Sequence, residues 1–251
     1  MTQLSLPLDE VHVWYWPPPV VLDEATESRG VAMLAPDERD RLARYRHEGA
    51  RVLYFAGAVL ARMTLSQYAA VPCDQWQFAA NAHGKPRVTA PPAGVPLRFN
   101  LTHTDGLAAC AIAWDRDVGV DAEAAGRAVE PELARRFFAP SEAAHLDRLP
   151  EPERADVFLR YWTAKEAYLK ARGTGLATAL NSFAIDLSAD RPRVRGAAAD
   201  PAADAGWQFF QFRPTPAHWL AVSVAALPGE HLHLVARAAT SEIERLLRSG
   251  I

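Results

Sequence analysis

The chain has 251 residues, 49% of them hydrophobic, and a formal net charge of -3 with both signs interspersed. That is enough for one large domain or two small ones with a substantial core, and the charge gives no ground for a nucleic-acid partner. No apolar run reaches transmembrane length, and the N-terminus lacks the basic region and long apolar stretch of a secretory signal. A cytoplasmic location with no membrane partner is therefore expected. Cys73 and Cys110 sit in apolar sequence without metal-ligand spacing, as reduced core thiols do.

In chain order, VHVWYW at 11–16 predicts a strand ended by Pro17, Pro18 and Pro19. Residues 37–68 predict one long helix, or two joined near Gly49. A short strand at 76–78 precedes HGKPRV at 83–88, where Gly84 and Pro86 fix the backbone around Lys85. Residues 89–98 are rich in Pro, Gly and Ala and read as a loop. Strands follow at 99–102, 107–114 and 118–123, with Thr104-Asp105-Gly106 and Asp115-Arg116-Asp117 as turns. Residues 130–137 and 141–149 predict helices, and 152–172 a long one stopped by Gly173 and Gly175. Antiparallel strands are expected at 182–187, 206–212, 218–226 and 231–237. A flexible connection or hairpin excursion spans 188–205, and a small helix at 240–249 closes the chain. The fold class is α+β.

Three stretches carry chemistry. In VGVDAE at 118–123 the side chains of Asp121 and Glu123 point the same way along an extended chain. Oxygen ligands at that spacing suit a hard cation such as Mg²⁺; a solvated strand end accounts for the pair as well. In YWTAKEAYLKARGTGL at 161–176, Trp162, Lys165, Glu166 and Leu169 share one broad helix face, and Lys170 lies one turn beyond Glu166. Charges on a face that should be buried cost several kcal/mol unless they are paired or bind a charged ligand. An amphipathic helix with snorkelling lysines is the plainer account. In HGKPRV and FNLTHTDG, Lys85, Arg87, Thr102 and His103 are residue types that bind phosphate, and each also suits an ordinary loop. Phe137, Phe138, Trp207 and Trp219 read as packing residues.

The order GKP, FN-L-T-H, GVD-x-E, FF-x-x-x-E and W-T-x-KEA-x-x-K-x-x-G-x-GL resembles the 4′-phosphopantetheinyl transferases. It is most similar to their long, pseudo-dimeric subfamily, and the resemblance covers residues 36–187 best. About 40 residues separate GVDAE from WTAKEAYLK, as in that family. The resemblance implies two similar α/β lobes, each with a small antiparallel sheet on a long helix. Residues 1–115 would form a lobe with coenzyme A-binding loops, and 116–251 a lobe with the metal strand and signature helix.

The same resemblance implies roles. Asp121, Glu123 and Glu166 match magnesium ligands, with Glu166 also the matching general base. Lys170 matches the lysine at the coenzyme A pyrophosphate, and with Asp121 and Glu166 completes the catalytic set. Lys165 falls in the same signature, with a part in phosphate binding or packing. Thr102 and His103 match residues at the 3′-phosphate, and Lys85 another phosphate contact. Arg41, Arg46 and Arg51 are candidates for the same phosphate, or else solvated helix residues, and Glu38 stands where a lysine is expected. Trp162 looks like the helix anchor. Glu142 resembles a carboxylate near the metal through water, or else a first-turn helix glutamate. The implied activity is transfer of the 4′-phosphopantetheine group from coenzyme A to a serine of an apo acyl, peptidyl or aryl carrier protein, by a monomer. Docking is expected at the loop before Phe99 and near Arg127, Arg135 and Arg136. The alternatives are a non-catalytic coenzyme A or carrier-protein binding module, a protein whose charges form surface pairs only, and a pyrophosphate hydrolase.

Overall fold

A computed structural model describes residues 3–90, 96–126, 131–196 and 204–249. Strand β1 (Glu10–Trp16) leads into helices α1 (Glu24–Met33), α2 (Pro36–Ala43) and α3 (Glu48–Tyr68). Strands β2 (Gln77–Ala80), β3 (Pro86–Ala90), β4 (Leu97–Thr104), β5 (Leu107–Trp114) and β6 (Val118–Ala124) follow. Then come helices α4 (Pro131–Phe137), α5 (Pro140–Arg148) and α6 (Glu151–Arg172). Strands β7 (Ala184–Asp186), β8 (Arg193–Arg195), β9 (Trp207–Thr215), β10 (His218–Ala225) and β11 (His233–Ala238) precede the last helix, α7 (Thr240–Ser249). The mixture of helices and small sheets is α+β, as expected. The sequence reading had no counterpart for α1 or β3, and β8 falls within its connection or hairpin excursion at 188–205, pairing antiparallel with β7.

By its contacts the chain forms two units. In the first, a sheet in the order β11-β1-β5-β4 carries α3. Helix α3 buries Phe55, Val59, Leu60, Met63 and Leu65 in that unit's core, with Ile243 and Leu247 of α7. In the second, a sheet in the order β6-β10-β9 carries α6, whose core includes Tyr161, Ala164, Ala167, Tyr168 and Leu169.

The expected division into 1–115 and 116–251 differs from these units at two places. Residues from His233 onward join the first unit. There β11 pairs parallel with β1, so it is not an antiparallel strand of the second sheet. Residues Ala82–Lys85 join the second unit, because Lys85 bonds to the end of α6.

Local chemistry explains where α6 begins and ends. Pro152 sits in its first turn, where a missing N–H costs nothing. Gly173 ends it at φ +65°, the left-handed conformation that favours glycine, and donates its N–H to Leu169 O at 2.9 Å. The break between α2 and α3 falls at 44–47, just before Gly49.

The second unit depends on a close approach at Gly119 of β6. A Cβ there would lie 2.1 Å from Ala167 O and 2.3 Å from Ala171 N, both backbone atoms of α6. Strand and helix touch because this residue has no side chain. Gly119→Ala is expected to destabilise the protein by about 1–3 kcal/mol. A urea unfolding midpoint unchanged from wild type would contradict that packing account.

The first unit contains a buried polar relay. His12 donates or accepts at both ring nitrogens: Tyr68 Oη lies 2.6 Å from Nδ1 and Glu10 Oε2 lies 2.6 Å from Nε2. Burial holds its pKa below the ordinary value of 6.5, against the pull of Glu10. The unfolded chain therefore takes up the proton first as pH falls. His12 thus contributes stability that is present above pH 6.5 and is lost as pH drops towards its folded value. Between about pH 7.5 and about pH 5.5 the unfolding midpoint should fall more steeply for wild type than for His12→Gln. Parallel curves would remove His12 as the cause.

Candidate active site

Antiparallel pairing places three rows on one face of the second sheet. Gly119 lies opposite Ser223, Asp121 opposite Ala221, and Glu123 opposite Trp219. Side chains directly opposite share a face, and α6 crosses it. The last turns of the helix lie over Gly119. Near the other end, Asp156 accepts the Trp219 indole N–H at 2.7 Å. Asp121 thus sits beneath the turn that carries Glu166 and Lys170. Lys170 Nζ lies 2.7 Å from Asp121 Oδ1, with the aspartate side chain 8% exposed and the lysine 30%.

Glu166 completes a tight acidic group. Its carboxyl is raised above the usual range, first by burial and then by the Asp121 carboxylate, with Lys170 opposing. Two carboxylates that raise one another's charge cost, one of them nearly buried, form a local excess of negative charge that one ammonium only partly offsets. Glu123 is half-buried on the same strand face. Among the described residues no group of three or more His, Cys, Asp or Glu side chains forms a metal cage. Magnesium does not need one: it is commonly held by one or two carboxylates with substrate phosphates and water. The hard oxygens of Asp121 and Glu166 fit that mode.

The structure moves Lys165 out of the site. It is 0% exposed. Its three ammonium protons have three acceptors: Leu180 O at 2.8 Å, Phe183 O at 2.5 Å and Glu142 Oε2 at 2.8 Å. No donor remains for a phosphate. Glu142 is likewise taken up in the interior. Its carboxylate accepts from Ala139 N at 2.8 Å, Ile185 N at 2.6 Å and Lys165. Burial pushes the Glu142 carboxyl up and the Lys165 ammonium down, while their mutual attraction opposes both shifts. The pair ties α5 to α6 and to the segment before β7. The reading of a shared face at 162–169 therefore needed dividing: Lys165 turns into the core, while Glu166 and Lys170 turn towards β6.

The rest of the signature is also placed. Thr163 Oγ1 donates to Leu159 O at 2.8 Å, and Gln211 of β9 bonds to Arg160 O at 2.6 Å, which ties helix to sheet. Trp162 stacks on Phe158 at 5.9 Å and meets Phe137 edge-on at 6.2 Å, so it anchors α6 on its α4 side. Lys85 donates to Ala171 O at 2.5 Å, a carbonyl of the helix's last turn, and lies 3.3 Å from Asp117.

The remaining candidates lie in the first unit. On β4, Thr102 is buried and His103 exposed. Arg41 covers the Tyr54 ring at 5.0 Å, and Arg46 is exposed between α2 and α3. Arg51 is held by Glu27 and Glu48, which gives it a task in joining α1 to α3. Glu38, read as a departure from the phosphate clamp, has a structural cause. It accepts from Ala35 N at 2.9 Å and pairs with Arg62, which is 0% exposed. Of the docking candidates, Arg135 is exposed and pairs with Asp147 at 3.3 Å, and Arg136 lies over Phe137 at 5.1 Å. Arg127 and residues 91–95 lie outside the described residues.

Comparison with known proteins gives these residues a context. A model of the 4′-phosphopantetheinyl transferase superfamily matches residues 117–225, the span from the start of β6 to the end of β10. The chain is 38% identical over 192 residues to the 4′-phosphopantetheinyl transferase HetI of Nostoc sp., covering 75% of this chain and 79% of that one. It is 27% identical to the 4′-phosphopantetheinyl transferase Sfp of Bacillus subtilis, covering 67% and 73%. It is 33% identical to the 4′-phosphopantetheinyl transferase gsp of Aneurinibacillus migulanus, covering 52% of each.

The buried pair yields a direct test. Lys165→Met leaves the Glu142 charge buried without its cation and should cost about 3–5 kcal/mol. Coenzyme A affinity of the protein that remains folded should match wild type. A variant that keeps its melting temperature and loses coenzyme A affinity would return Lys165 to the binding site.

Proposed function

Because the chain belongs to the 4′-phosphopantetheinyl transferase superfamily, we propose that it moves the 4′-phosphopantetheine group of coenzyme A to a serine of an apo acyl, peptidyl or aryl carrier protein. The observation that carries this reading is the Asp121, Glu166 and Lys170 group, held by the contact of β6 with α6. In the reaction the serine oxygen bonds to the β-phosphorus of the pyrophosphate. The bond from that phosphorus to the bridging oxygen breaks, and 3′,5′-ADP leaves with the electron pair.

Each residue has a part in this scheme. Mg²⁺ at Asp121 and Glu166, with Glu123 beside them, would neutralise charge on the pyrophosphate and on the transition state. Glu166 orients the incoming serine and takes its proton. Burial raises the proton affinity of this carboxylate in the protein without metal, whereas a bound Mg²⁺ would lower it, so the metal role is the firmer of the two. Lys170 brings a positive charge to the pyrophosphate. Lys85 steadies the helix end that carries Lys170. For Thr102, His103, Arg41 and Arg46, a part in holding coenzyme A phosphates rests on the family motifs. Cys73 and Cys110, both buried free thiols, fit a reducing cytoplasm, where we place the protein as a monomer.

Formation of 3′,5′-ADP tests the reading and separates it from hydrolysis. With coenzyme A and Mg²⁺, 3′,5′-ADP should form only when an apo carrier protein is present, one per serine modified. Release without a carrier would make the protein a pyrophosphate hydrolase. Glu166→Gln should lower kcat by about 100-fold or more at neutral pH. Its rate should also lose the acidic limb of the wild-type pH profile. An intact limb in the variant would assign that limb to another group.

A further inference from the structure

Lys170 carries more than a phosphate contact. Its ammonium already has a partner: it lies 2.7 Å from Oδ1 of Asp121, an aspartate whose side chain is only 8% exposed. A carboxylate so far removed from water is costly without a cation beside it. The aspartate is fixed, in a strand paired on β10 and pressed against α6 at Gly119. The lysine is not so fixed. It stands in the last turn of α6, its side chain is 30% exposed, and its four-carbon stem is flexible. Glu166, one turn back on the same helix, is the other hard oxygen donor of the group.

On the reading given above for this site, we propose that Lys170 is the resident cation of the Asp121 seat in the protein without metal. A divalent ion entering at Asp121 and Glu166 displaces the ammonium, and the freed Lys170 turns to the incoming pyrophosphate. The lysine thus has two positions, one that holds the empty site together and one that serves the substrate. No bond is made or broken in the exchange. Two positive charges held at one carboxylate repel each other, so ion and ammonium compete for Asp121.

Binding measurements without coenzyme A or carrier protein test this apart from turnover. Mg²⁺ is titrated calorimetrically into wild type, Lys170→Gln and Lys170→Arg. Lys170→Gln should bind Mg²⁺ at least about tenfold more tightly than wild type, because the competing charge is gone. Lys170→Arg keeps the charge and should show no such gain. Equal or weaker affinity in Lys170→Gln, or no measurable binding by either protein, overturns the proposal. Should Lys170→Gln fail to fold, the wild-type protein answers alone. With labelled lysine, the Lys170 Cε resonance should shift on addition of Mg²⁺ and stay put with NaCl of matched ionic strength. A resonance indifferent to Mg²⁺ overturns the proposal as well. Absence of carrier-protein modification with these results intact would instead count against the transferase reading.

Discussion

The contact of Gly119 with α6 is the constraint on which the site depends. With no Cβ in the way, β6 lies directly against the backbone of Ala167 and Ala171. Two residues further along the strand, Asp121 arrives beneath Lys170 with its side chain almost out of water. Glu166 is carried to the same place by the helix repeat. A helix held one methyl group further away would leave Asp121 better hydrated and Glu166 less affected by its neighbour. The chemistry of the group thus follows from a packing distance as much as from the residue types.

Around that contact the unit is braced by polar ties. Lys165 and Glu142 satisfy one another and four backbone groups in the interior. Gln211 bonds the sheet to the middle of α6, and Lys85 occupies a carbonyl at its end. Each tie fixes the rotation or the axial position of the helix, and so fixes where Glu166 and Lys170 point. Buried polar groups of this kind are costly when incomplete and rigid when complete. The first unit shows the same device in Arg62, which is held by Glu38 and by Met33 O at 2.9 Å.

Much of this was legible in the sequence, for physical reasons. The strand carrying Asp121 and Glu123 follows from alternation, and α6 follows from a run free of Gly and Pro between a first-turn proline and Gly173. What was illegible depended on contacts between distant segments. Helical spacing puts Lys165 and Glu166 on one broad face, but only the partner at position 142 shows that the lysine turns inward. Nothing local distinguishes Glu38 as the partner of a buried arginine 24 residues later. Strand β11 reads as one more antiparallel strand, because alternation records the burial of faces and not the direction of the neighbour. Its parallel pairing with β1 is a property of the whole chain. Helix α1 escaped notice because few of its residues are buried, which leaves little apolar periodicity to read.

The central claim is that the Asp121 group is where phosphopantetheine changes hands. Intact-mass analysis of an apo carrier protein, incubated with coenzyme A, Mg²⁺ and either wild type or Asp121→Asn, tests it most directly. The variant keeps the size of the side chain and removes the negative charge that faces Lys170. Wild type should add one phosphopantetheine group to the carrier protein, while a folded Asp121→Asn adds none on the same timescale. Modification at the wild-type rate by the variant would contradict the account.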